Sequence, residues 1–151
     1  MTLAPFFQLH SELPREGPGT VDDVRWALSV TGPVAHVCDV ACGPGADTDV
    51  LAGALPKARI DALDKQAHFV AAAQARCAAF GDRVRIRQGD MAALDGSYDL
   101  IWCAGALYFL GVSEGLRAWR SALTGAGYVA FSEPVWVDKA PPLEAREFWV
   151  E

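Results

Sequence analysis

No C-x-x-C spacing occurs in the chain, and its three histidines, His10, His36 and His68, are scattered. A zinc centre needs ligands clustered at short spacings, so no metal site is expected. The four cysteines, Cys38, Cys42, Cys77 and Cys103, fall in apolar or helical stretches. There a thiol acts as a small buried hydrophobe. Unpaired cysteines suit a reducing compartment, and the expected location is the cytoplasm. The first residues lack a charged segment followed by an apolar core, so no signal peptide is expected. No apolar run approaches the length of a membrane span. Cations are in deficit, 13 Lys and Arg against 19 Asp and Glu, for a net charge of −6. That balance argues against nucleic acid as the main partner, which calls for a basic face. No internal repeat, linker or low-complexity segment interrupts the 151 residues, a length that suits one domain with a sizeable core.

What the chain does have is a sharp break in its first apolar run. His36-Val37-Cys38-Asp39-Val40-Ala41-Cys42 leads into Gly43-Pro44-Gly45 and then into Thr48-Asp49-Val50-Leu51-Ala52. Strand, glycine turn and helix open a nucleotide-binding α/β unit. Glycines let the backbone turn tightly and approach a ligand, and the helix aims its first amides at the same spot. A dinucleotide fingerprint needs a third glycine, and Thr48 stands there. Asp47 would lie beside a pyrophosphate and repel it, and Asp39 adds a second negative charge. The expected ligand is therefore cationic or uncharged. A nicotinamide dehydrogenase stays open as a rival, and so does an ordinary turn with no ligand.

The rest of the chain alternates strands and helices. Thr20 and Asp23 read as a capping box ahead of a helix over 21–31. The leader before it, with Phe6, Phe7, Leu9 and Leu13, is either a lid over the site or packing on the sheet edge. Strand two spans 59–64 and ends on Asp64, about twenty residues after the glycines, where an acid meets ribose hydroxyls or caps the next helix. An alanine-rich helix runs from Gln66 to Phe80, closed by Gly81. Val84-Arg85-Ile86-Arg87-Gln88 alternates apolar and charged residues, as an edge strand does. Gly89-Asp90-Met91 follows as a loop suited to a nucleoside base. Strand four is Tyr98 to Cys103, and small residues then lead to Tyr108. A helix from about Ser113 carries Leu116, Trp119, Arg120 and Leu123 on one stripe, and Thr124 to Gly127 should end it. Strand five is Tyr128 to Ser132, leading to Glu133. A last helical stretch runs from Leu143 to Glu151. Five strands alternating with helices imply one parallel sheet.

Asp39-Val40-Ala41-Cys42-Gly43-Pro44-Gly45, Asp64, Gly89-Asp90-Met91, Tyr98-Asp99-Leu100-Ile101-Trp102 and Leu123-Thr124-Gly125-Ala126-Gly127-Tyr128 together resemble the motifs of class I S-adenosylmethionine-dependent methyltransferases. Arg15-Glu16-Gly17-Pro18-Gly19 and Ile101-Trp102-Cys103-Ala104-Gly105-Ala106 look like a bacterial small-molecule group within that family. Its common forms have Gln at the position of Glu16 and Glu at that of Ala104. The resemblance implies a Rossmann-like α/β fold with strand order 3-2-1-4-5. It implies S-adenosylmethionine as cofactor, held by Asp39, Ala41, Gly43, Gly45, Asp64, Lys65, Asp90, Met91, Cys103 and Gly105. It implies a small-molecule methyl acceptor and direct displacement at the sulfonium methyl. No general base stands out, and the candidates are His10, Tyr108 and Glu133. The expected organisation is a cap and helix over 1–33, a core over 34–134 and a C-terminal part cut short. The family's sixth and seventh strands are not found after strand five. Its bare edge implies either a shortened chain or a partner chain that covers it, with a homodimer as one form. A module that binds cofactor without turnover remains a further reading.

Overall fold

The computed structural model describes residues 13–137, 139–140 and 142–149. Its elements in chain order are α1 (Val21–Val30), β1 (His36–Val40), α2 (Ala46–Ala54), β2 (Arg59–Asp64), α3 (Ala67–Cys77), β3 (Val84–Gln88), β4 (Tyr98–Ala104), α4 (Val112–Trp119), β5 (Leu123–Ser132) and α5 (Leu143–Trp149). The five strands form one sheet in the order β3-β2-β1-β4-β5, and every neighbouring pair is parallel. The fold is therefore the Rossmann-like arrangement expected from the sequence. Among the described residues, no helix is long and apolar enough to cross a membrane.

Side chains alternate between the two faces of each strand, and the core divides accordingly. Val37, Ile60, Leu100 and Trp102 face Val24 and Ala27 of α1 and Leu51 and Ala52 of α2. Cys38, Val40, Leu63, Ile101 and Cys103 face the other way, onto Leu107, Trp119 and Ala122. Central strands buried on both faces read as continuous apolar runs, which is why β1 and β4 stood out in the sequence. All four cysteines are free and buried. Burial pushes the thiols of Cys38 and Cys103 up to about 12 and that of Cys77 to about 11, so they are poor nucleophiles.

Two expected boundaries shift. The alanine-rich helix stops at Cys77 and continues as a 3-10 segment over Ala78–Arg83, kinked at Gly81 (φ 59°). Leu123 does not lie on the α4 stripe but begins β5, and Thr124 to Gly127 form an irregularity inside that strand. Leu123 pairs with Tyr98 and Tyr128 with Leu100, so the β5 chain bows outward between them. Asp99 fastens the bow, accepting from the Thr124 hydroxyl at 3.1 Å and from the amides of Ala35 and His36.

The capping box is present, with the Thr20 amide donating to Asp23 at 2.6 Å. The end of α2 is held from a distance. Arg83 donates to the carbonyls of Ala52, Leu55 and Ala58 at 2.9, 3.2 and 3.3 Å. Replacing Arg83 with methionine keeps most of the stem but frees these carbonyls. It is expected to lower stability by about 1.5–3 kcal/mol, read from urea unfolding midpoints.

Candidate functional site

The carboxyl ends of β1, β2, β4 and β5 converge on the glycine turn, where open α/β sheets bind ligands. Gly45 adopts φ 80°, and a Cβ there would stand 2.8 Å from that of Ala73 on α3, so only glycine fits. Ala41, at the tip of β1, is also left-handed at φ 55°, a cost that a side chain rarely meets outside functional turns.

Asp64 pins this turn to β2. One carboxylate oxygen accepts from the Gly43 amide at 2.9 Å and the other from the Gln66 amide at 2.8 Å. It thus holds the glycine turn and the approach to α3 at once. Asp39 is sealed inside, accepting from the Thr48 hydroxyl at 2.5 Å. Burial lifts its carboxyl to about 8; the Thr48 hydroxyl opposes that, and the charges of Asp47 and Asp64 add to it.

Asp47 corrects the charge argument made from the sequence. It does not sit free beside the turn. Arg15 grips both of its oxygens, one at 2.9 Å, and the Trp102 indole donates to it at 3.1 Å. Its charge is neutralised, so the case against a phosphate ligand no longer rests on it. The other acids at the turn are Asp39, which burial holds towards its neutral form, and Asp64.

The described part of the leader lies across the crevice. A Cβ on Gly17 would stand 3.0 Å from the Ala104 carbonyl, and one on Gly43 would stand 3.3 Å from the Glu16 side chain. Residues 15–17 therefore line the crevice. Phe6, Phe7, Leu9 and the candidate base His10 lie outside the described residues. The cavity beneath, between Arg15, Glu16, Asp39, Gly43 and Ala104, measures about 30 Å³.

The other expected site residues are spread around this centre. Asp90 is exposed, with an oxygen accepting from the Ala92 amide. Met91 packs against the core, and its carbonyl accepts from the Trp119 indole at 2.7 Å. Lys65 is exposed at the tip of β2. The Cys103 side chain is buried towards α4, which leaves only its backbone near the crevice. Gly105, at φ 70°, packs against Gly17 and Pro18. Tyr108 is half exposed beyond it and stacks on Phe109 at 4.2 Å. Sequence reasoning missed the Arg15–Asp47–Trp102 bridge. The arginine and acid were visible in their motifs, but nothing local joins residues 32 and 55 positions apart.

A second, larger cavity of about 530 Å³ runs between α1 and β5, walled by Trp26, Val30, Trp102, Tyr128 and Phe131. It shares Arg15, Asp47 and Ala104 with the crevice but is not lined by Gly43 or Pro44 of the glycine turn.

Comparison with known proteins matches residues 37–127 to the family described as methyltransferase domain. A trans-aconitate 2-methyltransferase of Deinococcus radiodurans is 35% identical over 116 residues, covering 76% of this chain and 43% of its own length. A second protein of that name, from Streptomyces avermitilis, is 36% identical over 110 residues, 66% of this chain and 39% of its own. The chain thus spans less than half the length of these curated relatives. Among solved structures, a methyltransferase of Thiobacillus denitrificans in complex with S-adenosylhomocysteine superimposes with a TM-score of 0.80 at 21% identity. It covers 95% of this chain and 60% of the other. A Geobacter sulfurreducens counterpart, also with S-adenosylhomocysteine, gives 0.79 at 23% identity, with 94% and 59% covered. These likenesses concern the fold. The family match takes in well over half of the residues, and the chain belongs to the methyltransferase domain family.

Proposed function

We propose that this chain binds S-adenosylmethionine in the crevice and transfers its methyl group to a small-molecule acceptor by direct displacement. The observation that carries the reading is the pair of buried carboxylates, Asp39 and Asp64, set on either side of the glycine turn. Such a pair suits a cationic nucleoside better than a pyrophosphate. When bound, S-adenosylmethionine supplies an electrophilic methyl on a sulfonium. Asp39 and the turn around Gly43 and Gly45, with Ala41, hold its amino-acid end. Asp64, with Lys65 beside it, holds the ribose. Asp90 and Met91 flank the adenine, and the backbone at Cys103 and Gly105 closes the wall beside the sulfur. Ligand pockets run to about 300–1,000 Å³, so residues 15–17 move aside when the ligand enters a crevice of 30 Å³. Once closed again, the cover excludes water and aligns the reactants, which supplies most of the catalysis such a displacement needs.

Calorimetric titration with S-adenosylhomocysteine, S-adenosylmethionine and NAD tests the reading. Heat with the first two and none with NAD supports it; tight NAD binding alone sinks it. Asp39 adds a pH signature. A folded carboxyl lifted to about 8 keeps a proton that the unfolded chain, near 3.8, gives up. Its stabilising contribution is full below about pH 4 and is lost as pH rises towards 8. Urea unfolding at pH 5 and pH 8 should show that decline, and Asp39→Asn should flatten it. A cationic ligand favours the carboxylate, so binding near pH 7 releases a proton and tightens towards pH 8. Titrations in buffers of different ionisation enthalpy read that proton directly.

Among the described residues β5 is the outer strand of the sheet, and we place a second copy of the chain along it. Tyr128 and Phe131 are each 41% exposed there, and an unpaired strand invites pairing. Sedimentation showing a monomer at all concentrations would remove this assignment. Four free, buried thiols suit the cytoplasm.

A further inference from the structure

We propose that the cavity between α1 and β5 seats the body of the methyl acceptor, and that this body is an uncharged, planar aromatic group. The inference rests on the methyltransferase reading and adds the chemical class of its acceptor.

The cavity follows from small residues at facing positions. Ala27 of α1, Ala104 at the tip of β4 and Ala130 of β5 lie on the α1 side of the sheet and pack with Val24 and Trp102. Three methyl side chains leave a gap that larger residues would close. The gap measures about 530 Å³ and falls within the range of small-molecule sites, about 300–1,000 Å³. Rings stand around it. Trp102 is buried on the sheet side, while Trp26 and Tyr128 are 69% and 41% exposed. The Tyr128 hydroxyl reaches the turn after α1, where a Cβ on Gly32 would stand 3.4 Å from it. Helix and sheet thus both offer aromatic surface to a flat guest.

The charges of the lining exclude an ionic guest. Among the described residues, the charged side chains that line the cavity are Arg15, Asp23 and Asp47. Each is already matched. Asp23 accepts from the Thr20 amide at 2.6 Å and from its hydroxyl at 2.9 Å. Arg15 and Asp47 hold each other, and the Trp102 indole N–H is spent on Asp47. A charged guest would find no free counter-charge, and burying an unpaired ion is costly. An uncharged ring meets no such cost.

The position of the cavity ties it to the reaction. Arg15, Asp47 and Ala104 line both this cavity and the crevice, so they stand between the two. Gly17 and Pro18 close over the tip of β4 beside them. A crevice of 30 Å³ admits the cofactor only when residues 15–17 move aside, and that movement also withdraws Arg15 from the partition. Ala104 then presents only a methyl group between donor and guest. One displacement opens the donor site and joins it to the cavity, which sets the two reactants side by side.

The test uses the whole chain labelled with 5-fluorotryptophan and followed by ¹⁹F spectra. The signals of Trp26, Trp102 and Trp119 are identified by their loss in Trp26→Phe, Trp102→Phe and Trp119→Phe. Indole is the uncharged probe. Indole-3-acetate and tryptamine carry a charge of either sign on the same ring, and trans-aconitate is a polyanion without a ring. Indole should move the signals of Trp26 and Trp102 and leave that of Trp119, on the other face of the sheet. It should bind at least about tenfold more tightly than any charged probe. Ala130→Ile fills the cavity and should weaken indole at least about tenfold, while S-adenosylhomocysteine binds within about twofold of the parent. Trp26→Ala removes an exposed ring that the core does not need, and it should weaken indole as well. With S-adenosylhomocysteine bound, the indole ring protons should show nuclear Overhauser contacts to the methylene groups on sulfur. The proposal is overturned if indole leaves both signals unmoved, if a charged probe binds as tightly, or if Ala130→Ile binds indole unchanged. It is also overturned if S-adenosylhomocysteine excludes indole or makes no contact with it. A fall in indole binding as protein concentration rises, in step with dimer sedimentation, would give the cavity to a second copy and overturn it too. Failure of S-adenosylhomocysteine to bind while indole still moves the two signals would count against the methyltransferase reading and not against the cavity.

Discussion

Trp119→Ala is expected to lower the unfolding free energy by about 3–5 kcal/mol, the range for truncating a large buried aromatic. Trp119 is fully buried on the α4 face of the sheet, against Leu63, Ile101 and Leu107. Its removal opens a cavity that rigid strands cannot close. It also strands the Met91 carbonyl, which accepts from the indole at 2.7 Å. For a chain of this size the melting temperature should fall by roughly 10 °C or more, read by calorimetry. Trp119→Phe separates the two effects, because it keeps most of the volume and loses only the hydrogen bond, worth about 1 kcal/mol. The loop carrying Asp90 and Met91 should loosen in both variants. A loss below 1 kcal/mol in Trp119→Ala would mean that α4 does not seat on the sheet as described.

Asp64→Ala is expected to reduce affinity for S-adenosylhomocysteine by about 10–100-fold, from the loss of charge-assisted hydrogen bonds worth roughly 1.5–3 kcal/mol. The structure adds a second consequence. The amides of Gly43 and Gln66 both donate to this carboxylate, so alanine leaves two donors unmatched and frees the glycine turn. Stability should fall along with affinity, read from the same protein by urea unfolding and by calorimetry. Asp64→Asn offers only one acceptor oxygen and should lie between the two. Unchanged affinity in the alanine variant would remove Asp64 from the site and leave it a purely structural tie.

Much of this architecture was readable before any coordinates. The limits of β2 at Arg59 and Asp64 and of β3 at Val84 and Gln88 agree with the structure because short-range alternation and flanking turn residues set them. The glycine turn was legible because it needs backbone conformations that few other residues adopt. The start of β5 was not. Thr124 to Gly127 look like a turn, and they do leave the ladder, but pairing of Leu123 with Tyr98 keeps them inside the strand. That pairing depends on a residue 25 positions back. Asp47 was misjudged for a similar reason, since its charge is set by Arg15 and Trp102 and not by its neighbours in the turn.

The sequence by itself determined the alternation of strands and helices, the parallel sheet, the position of the glycine turn and the acids at the strand ends. Each of these follows from side-chain periodicity or from backbone freedom within a few residues. Only the tertiary structure decided what those acids are able to do. Asp64 became a clasp, Asp47 a neutralised pair, Asp39 a sealed proton holder and Glu133 a carboxylate with one buried oxygen unmatched among the described residues. Desolvation and partner choice depend on groups brought from several elements at once, and no local pattern encodes them.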